Sequence, residues 1–289
     1  MATVTVHSSD NREKALRSLS QLPPFSAVLN KLLATLASEN LSFVKVAELI
    51  EKDAVLAGNV LRVVNSALYG RRGEINSVRH AISLLGLGKL RNTAMSLSVS
   101  KMLNQLATPS CWSSKQFNLH AVTTAILSDL LAQHLEVEYP EGAFTAGLLH
   151  DIGVLLEAVA MRAEFEAIRA LFTMGLYGNK EEELAAIGVD HAELSVAALE
   201  RWNLPEPIQV AVRFHHDPRP GADGSRTLSQ LVHAADRMAC QLGMALQEWM
   251  PKVEGEPGQT LESLGLREKA PGILEEFSAE FEPIQGFYR

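Results

Sequence analysis

The stretch Ala146-Gly147-Leu148-Leu149-His150-Asp151-Ile152-Gly153 places an adjacent histidine and aspartate within an apolar, helix-forming run. Neutral imidazole and carboxylate together are ligands for Fe, Mn, Ni or Zn, and the two oxygens of an aspartate can bridge two metals. Adjacent helix residues point about 100° apart, so the pair shares one metal cluster only where a helix faces a cavity or ends. Gly153 permits such an end. The stretch therefore indicates a candidate metal site at a helix terminus.

The composition around this stretch predicts an all-α fold. Hydrophobic residues make up 47% and charged residues 21% of the 289 residues, and the mean hydropathy is +0.04. These are globular values, which exclude a chain disordered throughout. Aromatic residues are only 6%, so the apolar content is mostly Leu and Ala, the strongest helix formers. Few alternating runs compete as strands.

The positions of prolines and of breaks in the helical pattern predict one multi-helix domain over residues 18–245, built from two packed halves. An N-terminal helical half covers about 22–107 and begins at Leu22-Pro23-Pro24, where proline fits the first turn of a helix. The break at Thr108-Pro109-Ser110 separates it from a second half, about 112–245, which contains the His-Asp pair. Residues 248–289 read as an acidic C-terminal helical appendage.

Nothing in the sequence indicates a membrane or an oxidising compartment. No uncharged stretch approaches the ~18 to 20 residues of a membrane span, and residues 1–10 lack the apolar core of a secretory signal. Cys111 and Cys240 follow no metal or redox spacing. We expect a cytoplasmic protein with reduced thiols and no membrane partner.

The charge distribution is uneven. The net charge of −8 argues against nucleic acid as a partner. Between residues 54 and 101, however, seven basic residues face a single acidic one. This segment is interpreted either as solvated helix faces and a loop, or as a surface for an anionic ligand or acidic partner. In the second case the candidate residues are Arg71, Arg72 and Arg79.

Each further candidate ligand also has a purely structural explanation. His120 lies among apolar residues and fits a hydrogen-bonded core histidine. Asp190, directly before His191, fits an N-cap with Glu193 at the third helical position. The remaining candidates fit a helix C-terminus or a solvated helix face; they are His215, His216 and Asp236.

The order of these residues nevertheless resembles the HD superfamily of metal-dependent phosphohydrolases, and the N-terminal half resembles the HDOD domain, its regulatory relative. The segments that carry the resemblance run from about Ser18 to Pro220, extending to Asp236. They are Leu22-Pro23-Pro24-Phe25, Asn65-Ser66-Ala67-Leu68-Tyr69-Gly70, Ile75-Asn76-Ser77-Val78, Ala81-Ile82, Leu84-Leu85-Gly86, residues 146–153, Asp190-His191-Ala192-Glu193-Leu194, Trp202, Leu204-Pro205 and His215-His216-Asp217-Pro218.

The resemblance implies a centre of one or two divalent ions, Fe or Mn, with Ni or Zn as alternatives. One ion would be held by His120, His150, Asp151 and Asp236. The second would be held by His191, His215 and His216, with Asp151 bridging. Two such cations can stabilise the attacking and leaving oxygens of a phosphoryl displacement.

Several departures from the active HD-GYP phosphodiesterases bear on catalysis. Their substrate-facing Lys is replaced by Val154, their glutamate after the paired histidines by Asp217, and their Gly-Tyr-Pro signature is absent. The leading interpretation is therefore an intracellular, bacterial-type signalling module that acts through protein or ligand binding. The alternative is a phosphohydrolase of nucleotides or cyclic dinucleotides that depends on Asp151. A third reading treats the histidines as packing and capping residues without metal.

Overall fold

The computed structural model describes residues 8–34, 43–67, 74–173, 180–250 and 252–288. Within these ranges the chain is helical, and an isolated parallel bridge between Val137 and Arg226 is the extent of pairing between extended segments. The predicted all-α class is confirmed.

The helices are numbered in chain order. Before residue 106 they are α1 (Ser8–Ser18), α2 (Ala27–Ala34), α3 (Phe43–Glu51), α4 (Ala54–Ala67), α5 (Val78–Leu85) and α6 (Leu87–Leu103). The helices that follow are α7 (Ser114–His134), α8 (Ala143–Leu149), α9 (Ile152–Ala160), α10 (Arg162–Thr173), α11 (Lys180–Ala186), α12 (His191–Arg201), α13 (Glu206–Arg213), α14 (Leu228–Gln241), α15 (Pro257–Ser263) and α16 (Ala270–Gln285). Short 3-10 turns occupy Leu19–Gln21, Pro140–Gly142, Arg267–Lys269 and Gly286–Tyr288.

Contacts within the chain separate two compact units. Unit 1 consists of the described part of Met1–Pro23 together with Leu106–Arg267, and unit 2 of Pro24–Gln105 together with Glu268–Arg289. The two helices after residue 248 therefore belong to different units. Helix α15 packs on α14 within unit 1, and α16 packs on α4 within unit 2.

Helix α7 is the central element of unit 1 and packs against α8 and α14. Its side chains are buried on nearly every face, which is the pattern of a helix enclosed on all sides. Ser113 caps its start by accepting a hydrogen bond from the backbone N–H of Gln116 at 3.1 Å. A Cβ at Gly147 of α8 would lie 2.7 Å from Ser128 Oγ, so the glycine allows α8 to approach α7 closely.

The segment Pro140–Ala160 is long and apolar enough to cross a membrane by length and composition, with a mean hydropathy of 1.5. In the fold, 83% of that window is buried inside the chain. The segment is also divided, because α8 ends at Leu149 and α9 begins at Ile152. Burial in the core of unit 1 accounts for its apolar character.

Unit 2 combines α2–α6 with α16. Helix α16 buries Phe277 and Phe281. Lys89 of α6 forms ion pairs with Glu276 at 3.1 Å and Glu280 at 2.6 Å. Two helices of this unit begin at short polar residues that act as N-caps. The Ser77 side chain accepts from the His80 N–H, and Asp53 accepts from the first turn of α4.

Candidate metal centre

Unit 1 brings all seven candidate ligands into one cluster. Asp151 separates α8 from α9, so the His-Asp pair lies at a helix junction, as the sequence indicates. The other side chains come from helix faces and helix ends on four further elements: His120 on α7, His191 at the first position of α12, His215 and His216 just after α13, and Asp236 on α14.

Asp151 is the centre of the cluster, and its two carboxylate oxygens face different histidine pairs. Oδ2 lies 3.3 Å from His150 Nε2 and 3.6 Å from His120 Nε2. Oδ1 lies 3.4 Å from His215 Nε2 and 3.6 Å from His191 Nε2. This division of the two oxygens is the arrangement required of a carboxylate that bridges two cations.

The ligand atoms form two adjoining groups. In the first, Asp236 Oδ1 lies 3.3 Å from His120 Nε2 and 3.9 Å from His150 Nε2. In the second, the candidate ligand atoms of Asp151, His191, His215 and His216 all lie within 4.8 Å of one another. Within each of these two groups, the residues named are ones that the resemblance assigns to the same ion.

Hydrogen bonds at the outer ring nitrogens orient three of the histidines. The Nδ1 atoms bond backbone carbonyls: His120 to Met244 at 2.7 Å, His150 to Gly147 at 2.9 Å and His215 to Val212 at 2.7 Å. A carbonyl oxygen can only accept, so Nδ1 carries the proton and the Nε2 lone pair faces the cluster in the neutral ring. Histidines that bind metals are generally oriented in this way.

His191 is held by a carboxylate instead of a carbonyl. Glu183 of α11, itself buried, accepts from His191 Nδ1 at 2.8 Å and from the His191 backbone N–H at 3.0 Å. Burial lowers the pKa of His191, but the attraction of Glu183 outweighs it and raises the pKa to about 10. The metal-free ring therefore holds a proton at Nε2 that a bound cation would replace.

Two buried polar atoms in the cluster have no hydrogen-bond partner in the described part of the chain. They are Asp151 Oδ1 and His215 Nε2, which face each other at 3.4 Å. Burial lowers the pKa of His215, so the ring is neutral and two lone-pair acceptors oppose one another. An unsatisfied buried polar group costs about 1–3 kcal/mol. A cation between these atoms would satisfy both, so the residues present fit a metal.

The charges of Asp151 and His216 agree with that fit. Burial raises the pKa of Asp151, but the attraction of the neighbouring His150 outweighs it and holds the pKa well below the ordinary value. Asp151 is therefore ionised. Although His216 lies at the edge of the cluster, desolvation of its ring by the surrounding protein and repulsion from His215 hold its pKa well below the ordinary value. These protonation states are the ones that metal ligands need.

The structural explanations of single residues coexist with the cluster. Asp190 does cap α12, accepting from the Glu193 N–H at 2.7 Å, yet its neighbour His191 points to Asp151. His120 is buried and hydrogen-bonded through Nδ1, while its Nε2 remains within the cluster. The cap at Asp190 therefore does not prevent His191 from joining the cluster. The core hydrogen bond of His120 likewise leaves its Nε2 atom facing the cluster.

Three residues with no role in the sequence analysis belong to the surroundings of the cluster. Glu183 orients His191, and Cys240 lies with His120 and Asp236 in a group of potential ligand atoms. Glu157 of α9 is buried, and burial together with repulsion from Glu183 raises its pKa well above the ordinary value. Glu183 lies eight residues before His191 on another helix, so no helical spacing could have signalled the pair.

The residues that bear on catalysis and on anion binding are placed as follows. Val154 is buried in α9 and brings no charge to the cluster. His216 and Asp236 lie at its more accessible edge.

Arg71 and Arg72 fall outside the described residues, whereas Arg79 forms an exposed ion pair with Glu48 at 3.7 Å. Such a pair contributes about 0–1 kcal/mol.

An all-α fold with a His-Asp pair at a helix junction and five converging side chains defines a protein of the HD type. The chain belongs to the HDOD family: the family profile described as HDOD domain matches residues 22–218. The resemblance seen in the sequence is thereby confirmed.

Solved structures of similar fold cover almost the whole chain. An HDOD domain protein of unknown function from Geobacter sulfurreducens is 22% identical, with a TM-score of 0.74 over 97% of this chain and 98% of that one. A protein from Shewanella amazonensis SB2B, provisionally named a phosphohydrolase, is 22% identical, with a TM-score of 0.71 over 96% and 98%. These similarities support the fold.

A curated relative is longer than this chain. It is described as an uncharacterized protein of Treponema pallidum (strain Nichols) and is 26% identical over 203 residues. The match covers 69% of this chain and 38% of the relative. The chain therefore matches well under half the length of that relative.

Proposed function

We propose that this HDOD protein is a cytoplasmic signalling module of bacterial type that retains a dinuclear metal centre and acts by binding a protein or ligand. The observation that carries the proposal is the division of the Asp151 oxygens between two histidine pairs, at 3.3–3.6 Å from four Nε2 atoms. Packing alone would not need four ring nitrogens directed at one carboxylate.

The donor set indicates how the ions would be held. His120, His150, Asp151 and Asp236 would hold one ion, and His191, His215 and His216 the other, with Asp151 shared. Imidazole and carboxylate donors suit Fe or Mn, and also Ni or Zn. When bound, such ions polarise phosphoryl oxygens and lower the pKa of water.

The regulatory role is supported by what surrounds the cluster. Val154 is buried and uncharged where the active phosphodiesterases have a Lys. A lysine there would meet a substrate phosphate as a point charge. Without it, a metal centre suits sensing or structural stabilisation better than turnover.

Arg79, with Arg71 and Arg72, is the proposed surface for an acidic partner or anionic ligand. Charge reversal at these three residues should abolish that interaction.

The second candidate function is hydrolysis of a nucleotide or cyclic dinucleotide. It is favoured by the complete set of seven ligands and by the accessible edge of the cluster at His216 and Asp236. In this case Asp151 would be essential, because both groups of ligands share it.

The test is metal content per chain, measured by elemental analysis on protein purified without a metal-affinity tag. Wild type should hold about two equivalents, and the double variant His150→Ala/Asp151→Ala should hold none while keeping its helical circular dichroism. His80→Ala, which removes an exposed histidine on α5, is the matched control. Equal metal content in wild type and the double variant would overturn the proposal.

A substrate screen separates the two functions. Hydrolysis of a nucleotide or cyclic dinucleotide that disappears in Asp151→Ala, with the fold intact, would establish the phosphohydrolase and replace the purely regulatory reading. Full metal occupancy without turnover of any of these substrates supports the signalling module.

A further inference from the structure

A cleft in unit 1 lies between α14 and α15 and has a volume of about 500 Å³. Its basic side chains are Arg226, His233 and Arg237. Among the described residues that line it, none is an aspartate or glutamate, although the chain carries a net charge of −8. The cleft is therefore a local concentration of positive charge on an acidic protein.

The two arginines are not neutralised by carboxylates. In the described part of the chain neither forms an ion pair, and each contacts a backbone carbonyl instead. Arg226 donates to Leu264 O at 2.9 Å and Arg237 to Glu254 O at 3.4 Å. Because a guanidinium has five N–H donors, each retains donors for a ligand. The planar donor fork of arginine matches phosphate oxygens.

The glutamines of the cleft add further donors. Gln230 and Gln259 each use Oε1 to accept the backbone N–H at a helix start, at 3.0 Å and 3.2 Å. These bonds turn the amide oxygens toward the helix starts, and the amide N–H groups remain available. Thr260 donates to Gln241 Oε1 at 3.0 Å, which ties α15 to α14. The walls are thus fixed before any ligand binds and are rich in donors.

We infer that this cleft binds the phosphate groups of a nucleotide-sized anion, at a site separate from the candidate metal centre. Excess donors and unpaired guanidinium groups select an anion over a neutral ligand. A volume of about 500 Å³ is within the range of small-molecule sites and exceeds the needs of a single phosphate ion. This inference does not depend on the proposed function.

The cleft also contacts the ligand set of the metal centre. His233 Nδ1 donates to the backbone oxygen of His215 at 2.8 Å, and Asp236 lies between His233 and Arg237 on α14. An anion bound to His233 and Arg237 would therefore lie beside the segments that carry two candidate metal ligands, His215 and Asp236.

The test is isothermal titration of the full chain with inorganic pyrophosphate, ATP and adenosine at a fixed salt concentration, since exposed charges are screened by salt. Pyrophosphate and ATP should bind, ATP more tightly, and adenosine should not. Arg237→Gln should weaken both by about tenfold or more, which is the effect of losing charge-assisted hydrogen bonds. Arg201→Gln, which removes an exposed arginine of α12 outside the cleft, should leave binding within about twofold.

The variant His150→Ala/Asp151→Ala distinguishes the cleft from the metal centre. Binding of pyrophosphate that survives in this variant and weakens in Arg237→Gln locates the anion in the cleft. Binding that is lost in the double variant and unchanged in Arg237→Gln would locate it at the metal centre and overturn the inference. Equal weakening by Arg237→Gln and Arg201→Gln would also overturn it, because it would show non-specific attraction.

Discussion

Gly153 lies so close to the carbonyl oxygen of His191 that a Cβ at residue 153 would come within 1.9 Å of it. The Gly153 N–H also donates to Ser195 Oγ at 2.8 Å. The start of α9 is thus fixed against the first turn of α12, and this contact sets the separation between Asp151 and His191. Gly153 is needed for close approach, since it is not among the glycines with positive φ.

Gly153→Ala should lower the free energy of unfolding and weaken metal binding together. The added methyl group meets backbone, which cannot rotate away, and overpacking of this kind costs about 1–3 kcal/mol or more. Urea denaturation and metal titration measure the two effects. Gly58→Ala in α4, where a Cβ has open space, should instead be neutral or stabilising by about 0.5–1 kcal/mol. If the two substitutions had equal effects, the close approach of residue 153 to the His191 carbonyl would not be the reason that a glycine is needed there.

Glu183→Gln should weaken the second metal position selectively. Removing an outer-shell carboxylate from a metal-binding histidine typically costs about 10–100-fold in affinity. A titration should show one ion bound as in wild type and one bound more weakly. The control is Glu200→Gln, an exposed residue of α12, which should leave both affinities unchanged. Weakening of both ions equally would contradict a role confined to His191.

Some features of the metal centre could be predicted from the sequence, and others arise only when separate helices pack together. The ligands follow one another in an order that the sequence reveals, and the Asp190 cap acts over three residues, so both could be predicted. Glu183 and Glu157 could not, because the hydrogen bond between Glu183 and His191 and the attraction between Glu157 and His191 act between separate helices. The chain after Asp151 also forms two helices, α9 and α10, which are divided at Met161. No glycine or proline marks that break.

Removal of metal should destabilise unit 1. The opposed acceptors Asp151 Oδ1 and His215 Nε2 have no hydrogen-bond partner in the described part of the chain, and a cation between them would satisfy both. Ligand at a hundredfold excess over its dissociation constant stabilises a protein by about 2.7 kcal/mol. For a chain of this size that corresponds to a Tm lower by about 5–10 °C after chelation. Scanning calorimetry with and without chelator measures the shift. The variant His150→Ala/Asp151→Ala should show none, and a shift of the same size there would locate the effect elsewhere.

Cys111 should react slowly with iodoacetamide near neutral pH. Burial raises the pKa of its thiol, and the hydrogen bond from Sγ to Glu166 Oε1 at 2.9 Å raises it further. Because the thiolate is the nucleophile, a raised pKa moves the onset of alkylation to higher pH. Glu166→Gln should move the onset back to lower pH, as followed by mass spectrometry of the Cys111 peptide. An unchanged pH profile in Glu166→Gln would show that the carboxylate has no influence.

The helix α16 should be an integral part of unit 2. Phe277 and Phe281 are each 5% exposed, and their rings stack with centroids 5.2 Å apart. Truncating a buried phenylalanine to alanine costs about 3–5 kcal/mol, so Phe277→Ala should unfold unit 2 at a markedly lower urea concentration. Glu275→Ala, at an exposed position of the same helix, should change stability by less than about 0.5 kcal/mol. If the two variants unfold at the same urea concentration, α16 contributes nothing to the core of unit 2, and the C-terminal residues are the peripheral appendage that their acidic composition suggests.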